Sequence, residues 1–167
     1  MLMYINIENC QDTFNIDVND FINDVVRCVL KFEEVDIDCE LNVFLVDNKK
    51  IRGINLEYRG IDKSTDCLSF PMLNYKKGNV FKNQYKNYKF KDYELDDGRL
   101  ILGDIFISLE KANEQSIEFN HSFDREVKYL LIHSLLHLLG YDHIEDCEKQ
   151  IMRQREKIII KDLKIFR

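Results

Sequence analysis

Three of the four histidines of this chain stand within eleven residues, HSLLHLLGYDH, at positions 133, 137 and 143. His133 and His137 are four apart. On a helix that spacing stacks two side chains on one face, with about 5–6 Å between their β-carbons. Two ring nitrogens so placed can bite one metal ion. Continuing the helix would turn His143 roughly 240° away from His137 and lift it about 9 Å. Gly140 lies between them, and glycine tolerates the left-handed conformation that ends helices and lets the chain reverse. The pattern H-x-x-x-H-x-x-G-x-x-H therefore has a mechanical reading: two ligands from a helix, a glycine hinge, and a third ligand from the loop beyond. Three neutral imidazoles leave one position of a tetrahedral zinc open, which is the catalytic rather than the structural arrangement. Water at such a position has its pKa lowered to about 7. We expect one Zn²⁺ per chain, held by His133, His137 and His143.

The same spacing occurs in zinc peptidases of the pattern H-E-x-x-H-x-x-G-x-x-H, whose glutamate serves as general base. Here that position is Ser134, and a hydroxyl cannot replace a carboxylate in that task. The scaffold for zinc is present without the peptidase's base. Arg59, just before Gly60 in an expected loop, is a second chemical candidate. Its guanidinium is always charged and forks onto phosphate oxygens. Asp142 is expected to shape the turn and to orient a ligand ring. Asp104 and Ser108 are candidates for the cleft wall. Cys147, four residues past His143, could complete a closed, purely structural zinc site.

The elements that must position these residues follow from periodicity. Leu2 to Ile7 and Leu41 to Val46 read as strands. So do Cys67 to Phe70, stopped by Pro71, and the strongly apolar run Leu100 to Leu109. Asn19 to Phe32, Lys49 to Tyr58, Asp124 to Leu139 and Glu145 to Leu163 read as helices. The helix through His133 is apolar nearly all round and should be buried. The predicted architecture is α+β (mixed α/β): one small mixed sheet of about four strands packed with about four to five helices, with the zinc-site helix central. One domain spans 1–167. Asn74 to Gly98 is polar, lysine-rich and weakly periodic, and reads as a basic insert or long hairpin.

Composition excludes several classes. The one proline and the absence of Gly/Ser-rich stretches leave no linker or repeat. The N-terminus has no basic region before an apolar stretch, so no signal peptide is expected. The most apolar run, Tyr129 to Tyr141, falls short of the roughly 20 residues a membrane helix needs. A cytoplasmic protein is expected, with no membrane partner. Five cysteines without C-x-x-C spacing argue against a disulfide framework or a thiolate zinc site. The net charge of −6 argues against loose electrostatic binding of nucleic acid by the whole surface. The stretch 74–93 is the exception. It holds six lysines against one aspartate, interleaved with Phe81, Tyr85 and Tyr88. Lysines for phosphates and aromatics for stacking are the chemistry of single-stranded RNA contact.

The chain resembles the YbeY-type endoribonucleases of bacteria, whose signature is close to HGxLHLxGYDH. Here it stands as HSLLHLLGYDH, departing at Ser134. NLEYRGIDKSTDCLSFP (55–71), LGDIFIS (102–108) and HSFDREVKYLLIH (121–133) are similar as well, and Met152 and Glu156 fall where the family's last helix carries such residues. The resemblance covers about Asn55 to Glu156. It implies a single-strand-specific, metal-dependent endoribonuclease acting in rRNA processing, notably at the 3′ end of the small-subunit rRNA, and in ribosome quality control. It implies His133, His137 and His143 as zinc ligands, Arg59 as the functional arginine, and single-stranded RNA and ribosome-assembly proteins as partners. Two alternatives stand beside it: a zinc hydrolase of a peptide or small phosphoester, and a non-catalytic, zinc-stabilised ribosome-associated protein.

Overall fold

Apolar side chains at alternate positions make the strands, and apolar stripes make the helices that cover them. The computed structural model describes residues 2–15 and 19–164. In chain order the elements are β1 (Met3–Asn9), α1 (Asn19–Phe32), β2 (Cys39–Val46), α2 (Asn48–Arg59), β3 (Cys67–Pro71), α3 (Phe81–Gln84), β4 (Leu100–Ser108), α4 (Leu109–Glu118), α5 (Phe123–Leu138) and α6 (Asp146–Asp162). The strands form one mixed sheet in the order β1-β2-β4-β3. β1, β2 and β4 run parallel, and β3 pairs antiparallel with β4 at the edge. The α+β expectation and the four strands agree with this, and the five longer helices match the expected number.

The main core lies on one face of the sheet. Leu41, Val43 and Leu45 of β2 and Leu102, Ile105 and Ile107 of β4 meet Val25, Val26 and Val29 of α1 and the buried residues of α5. α5 buries Val127, Leu130, Leu131, Ile132, Leu135, Leu136 and Leu138, and packs against β3, β4, α1, α4 and α6. Full burial of each such side chain contributes roughly 1.5–3 kcal/mol. The helix that carries His133 and His137 is therefore enclosed by the sheet and by three helices, which holds both rings on a rigid element. Ser122 caps it, accepting from the Arg125 amide at 3.2 Å.

α4 was not among the expected elements. Its signature is short: Ser108 as cap, then Leu109, Ala112 and Ser116 at helical spacing, all buried. Segment 74–98 is not a hairpin. Among the described residues it holds the single turn of α3 and a 3₁₀ turn at Asp92–Glu94, with one isolated bridge from Asp96 to Arg99. The reason is packing. Phe81 is 1% exposed, its amide donates to Leu139 O at 2.8 Å, and the Tyr75 hydroxyl donates to Leu138 O at 2.9 Å. The last carbonyls of a helix lack partners of their own, and this segment supplies donors to those of α5. No helix is long and apolar enough to cross a membrane among the described residues, and the five cysteines are free.

Candidate metal centre

α5 ends at Leu138 and the chain reverses at Gly140, whose φ is +91°. A β-carbon there would stand 2.7 Å from Tyr75 ring atoms and 2.9 Å from Asn79 O. Only glycine fits both the backbone angle and the space. The reversal carries His143 back over the face of α5. One ligating nitrogen from each of His133, His137 and His143 lies within 4.8 Å of the others. The ring centroids are 4.6 Å (133–137), 4.9 Å (137–143) and 5.5 Å (133–143) apart.

The hydrogen bonds outside this triangle orient two of the rings. His133 Nδ1 is 2.7 Å from Glu156 Oε1 of α6, and His137 Nδ1 is 2.9 Å from Tyr141 O. With each Nδ1–H donating outward, both Nε2 lone pairs point inward, where they face each other across 3.1 Å. Two lone pairs at that separation repel, and a cation between them relieves the repulsion. Tetrahedral zinc at about 2.0–2.1 Å from its nitrogens places neighbouring ligands about 3.3 Å apart, close to the spacing found. Burial, with His133 and His143 alongside, pushes the His137 imidazole down to about 4, so at neutral pH the ring is neutral, the form in which an imidazole can bind a metal. The residues present fit a metal ion.

Tyr141 is held in turn. Its hydroxyl donates to Glu33 Oε2 at 2.6 Å. Glu33, fully buried just past α1, pairs with Arg155 Nε at 2.9 Å, and Lys82 Nζ stands 3.8 Å away. A buried carboxylate needs such partners. Through this anchor the turn that presents His143 and the carbonyl that orients His137 are tied to α1 and α6. The Asp142 carboxylate accepts from the His143 amide at 2.7 Å. It shapes the turn, and its charge acts on the His137 ring without a hydrogen bond to a ring among the described residues.

The three histidines line an open cleft of about 1020 Å³, at the upper edge of the ~300–1,000 Å³ of small-molecule pockets. Arg59 is on its wall. It is the last residue of α2 rather than a loop residue. Gly60, with φ +70°, closes the helix behind it. Arg59 is exposed and makes no ion pair among the described residues, so its charge is free to meet a ligand. Lys76 and Lys77 also line the cleft.

Other candidates fall elsewhere. Asp104 accepts from Asn42 at 2.7 Å, and Ser108 donates to Asn48 and caps α4. Neither lines the cleft, because each is spent on pairing within the scaffold. Cys147 is exposed and outside the histidine cluster, so it closes no zinc site. Cys67 lines the cleft, but burial, with Asp66 beside it, pushes its thiol up to about 12, too high for a thiolate at neutral pH. Ser134 is fully buried next to Cys67, its Oγ without hydrogen-bond geometry to any described partner. It is not among the residues that line the cleft. Glu33, Tyr141 and Arg155 had no role in the sequence reading. The signal available for Glu156 and Arg155 was a charged pair on the face of an amphipathic helix that also carries buried Met152 and Ile159.

Comparison with known proteins finds relatives over nearly the whole chain. The family described as Endoribonuclease YbeY matches residues 5–164. A protein named Endoribonuclease YbeY from Clostridium botulinum (strain Loch Maree / Type A3) is 54% identical over 165 residues, covering 98% of this chain and 99% of that one. One of the same name from Clostridium kluyveri (strain NBRC 12016) is 53% identical, covering 96% and 99%. The solution structure of a Thermotoga maritima protein matches with a TM-score of 0.59 at 26% identity, over 94% of this chain and 87% of that one.

Proposed function

This chain belongs to the Endoribonuclease YbeY family, and on that premise we propose that it cuts unpaired RNA at the histidine cleft with a zinc ion held by His133, His137 and His143. The observation that carries the proposal is the convergence of three ring nitrogens within 4.8 Å on the wall of an open cleft that also holds an unpaired guanidinium. Zinc held there supplies Lewis acidity toward a phosphoryl oxygen and makes a nucleophile available at neutral pH.

The chain's own residues do the rest. The Arg59 guanidinium grips the scissile phosphate and stabilises the negative charge that develops on it. Glu156 and the Tyr141 carbonyl fix the tautomers of His133 and His137, so that both Nε2 atoms stay available as ligands. Lys76 on the cleft wall draws the phosphate backbone to the cleft in a chain whose overall charge is negative. We further propose that the whole chain, 1–167, acts as one domain in the cytoplasm, in rRNA processing that includes the small-subunit 3′ end and in ribosome quality control, with ribosome-assembly proteins as partners. A peptide hydrolase lacks a base beside the first histidine, since Ser134 carries a hydroxyl where the peptidase pattern has a carboxylate. A purely structural zinc lacks its fourth protein ligand among the described residues.

The test is cleavage of single- and double-stranded RNA by the zinc-loaded chain. Cleavage confined to the single strand, abolished by chelation and by His137→Ala, is expected. Equal cleavage by His137→Ala, or zinc binding without any RNA cleavage, overturns the proposal.

A further inference from the structure

Beside the metal cleft lies a second cavity of about 540 Å³, and Leu73 and Lys76 line both. We infer that this cavity is a subsite for one unpaired nucleobase of the RNA strand, an inference that rests on the endoribonuclease reading above. Its wall is a block of rings. Tyr85 stacks on Phe90 at 5.4 Å, and Tyr88 meets Phe90 edge-on at 4.9 Å and Tyr85 at 5.5 Å. Tyr88 is 44% exposed, and Met72 beside it 63%. These are large apolar groups facing water on a wall of the cavity. Tyr88 is also held in place. Its hydroxyl donates to Glu94 Oε1 at 2.8 Å, and Glu94 Oε2 takes the Lys91 amide at 2.9 Å. A ring fixed in this way loses little freedom when a base stacks on it, and stacking tolerates any base because every base has a π-face.

Charge selects the occupant. Of the segment's lysines, Lys77 pairs with Glu145, Lys82 approaches Glu33, Lys86 pairs with Glu34 and Lys91 lies over the Tyr93 ring. Lys76 and Lys89 have no ion pair among the described residues, and of the two only Lys76 lines both cavities. An anionic strand with its cleavable phosphate in the first cavity passes Lys76 and offers its next base to the second. A base in a duplex is stacked and paired and cannot enter, so the subsite itself favours unpaired RNA. Phe81, buried in the core, takes no part.

The experiment uses the full-length zinc-loaded chain and a fluorescent single-stranded RNA. Binding is read by initial anisotropy, and cleavage is followed in the same samples. Tyr88→Ala should weaken binding about tenfold, about 1.4 kcal/mol, within the range for one stacked base. Tyr88→Phe, which keeps the ring and loses only the tether to Glu94, should weaken binding by far less than tenfold. Replacing bases one at a time by abasic sugars should reproduce the loss at one position in the unsubstituted chain and add nothing there in Tyr88→Ala. Unchanged affinity in Tyr88→Ala, a loss unrelated to any abasic position, or no RNA binding by the unsubstituted chain each overturns the subsite. If base-dependent binding is found without cleavage, the endoribonuclease reading fails and the subsite stands.

Discussion

Gly140→Ala separates backbone strain from steric contact at the turn that delivers His143. The added β-carbon meets Tyr75 ring atoms at 2.7 Å and Asn79 O at 2.9 Å, at a φ of +91°. Gly60 supplies the control: its φ is +70°, and nothing lies within 4 Å of an added β-carbon. A non-glycine residue in the left-handed region costs about 1–2 kcal/mol, and alanine returns about 0.4–1 kcal/mol by restricting the unfolded chain. Gly60→Ala should therefore cost about 0–1.5 kcal/mol. Gly140→Ala carries the same two contributions plus overpacking of about 1–3 kcal/mol. Its cost should reach about 1–4.5 kcal/mol. Tyr75 cannot retreat freely, because its hydroxyl is tied to Leu138 O. Urea unfolding of the two variants and the unsubstituted chain gives both numbers. Zinc affinity by chelator competition should fall in Gly140→Ala and hold in Gly60→Ala, since only the first moves His143. Equal costs at the two glycines, or unchanged zinc affinity in Gly140→Ala, would refute the reasoning.

Glu156→Ala removes the acceptor that holds His133 and should weaken zinc binding about 10–100-fold, with Glu156→Gln losing less; chelator competition measures both. Arg59→Ala should lower kcat by about 10²–10³ while zinc content, read by elemental analysis, stays at one per chain. Burial would raise the Asp66 carboxyl, but hydrogen bonds from Gln115, the Cys67 amide and Thr65 hold it below the usual carboxylate range. Its contribution to stability is therefore complete above the unfolded value of about 3.9 and is lost as pH falls through the lower folded value. Asp66→Asn should flatten that acid limb in a series of unfolding curves taken at different pH. Chelation should lower Tm by several degrees, since a ligand at 100 times its Kd stabilises by about 2.7 kcal/mol.

The cluster of three histidines was legible because it is local: a spacing of four on an apolar helix, then a glycine, determines where three rings point. The sheet and the long helices were legible for the same reason, through their apolar periods. What the sequence hid is non-local. Lys-rich segment 74–98 reads as solvated from its composition, yet Phe81 and Tyr75 dock on the end of α5, and no local pattern announces that the carbonyls of Leu138 and Leu139 are their targets. Glu33 lies 108 residues from the Tyr141 hydroxyl it accepts from, a distance across which spacing says nothing. α4 escaped notice because its buried stripe of Leu109, Ala112 and Ser116 contains a single strongly apolar residue. Arg59 reads as a loop residue from its place beside Gly60, whereas that glycine is the cap that closes α2.

The coordination shell of the zinc-loaded chain, read by X-ray absorption, tests the central claim most directly. The account predicts one zinc per chain with three imidazole nitrogens at about 2.0–2.1 Å, an oxygen as the remaining neighbour, and no sulfur at about 2.3 Å. A shell with sulfur in it, or with fewer than three imidazoles, would contradict the account.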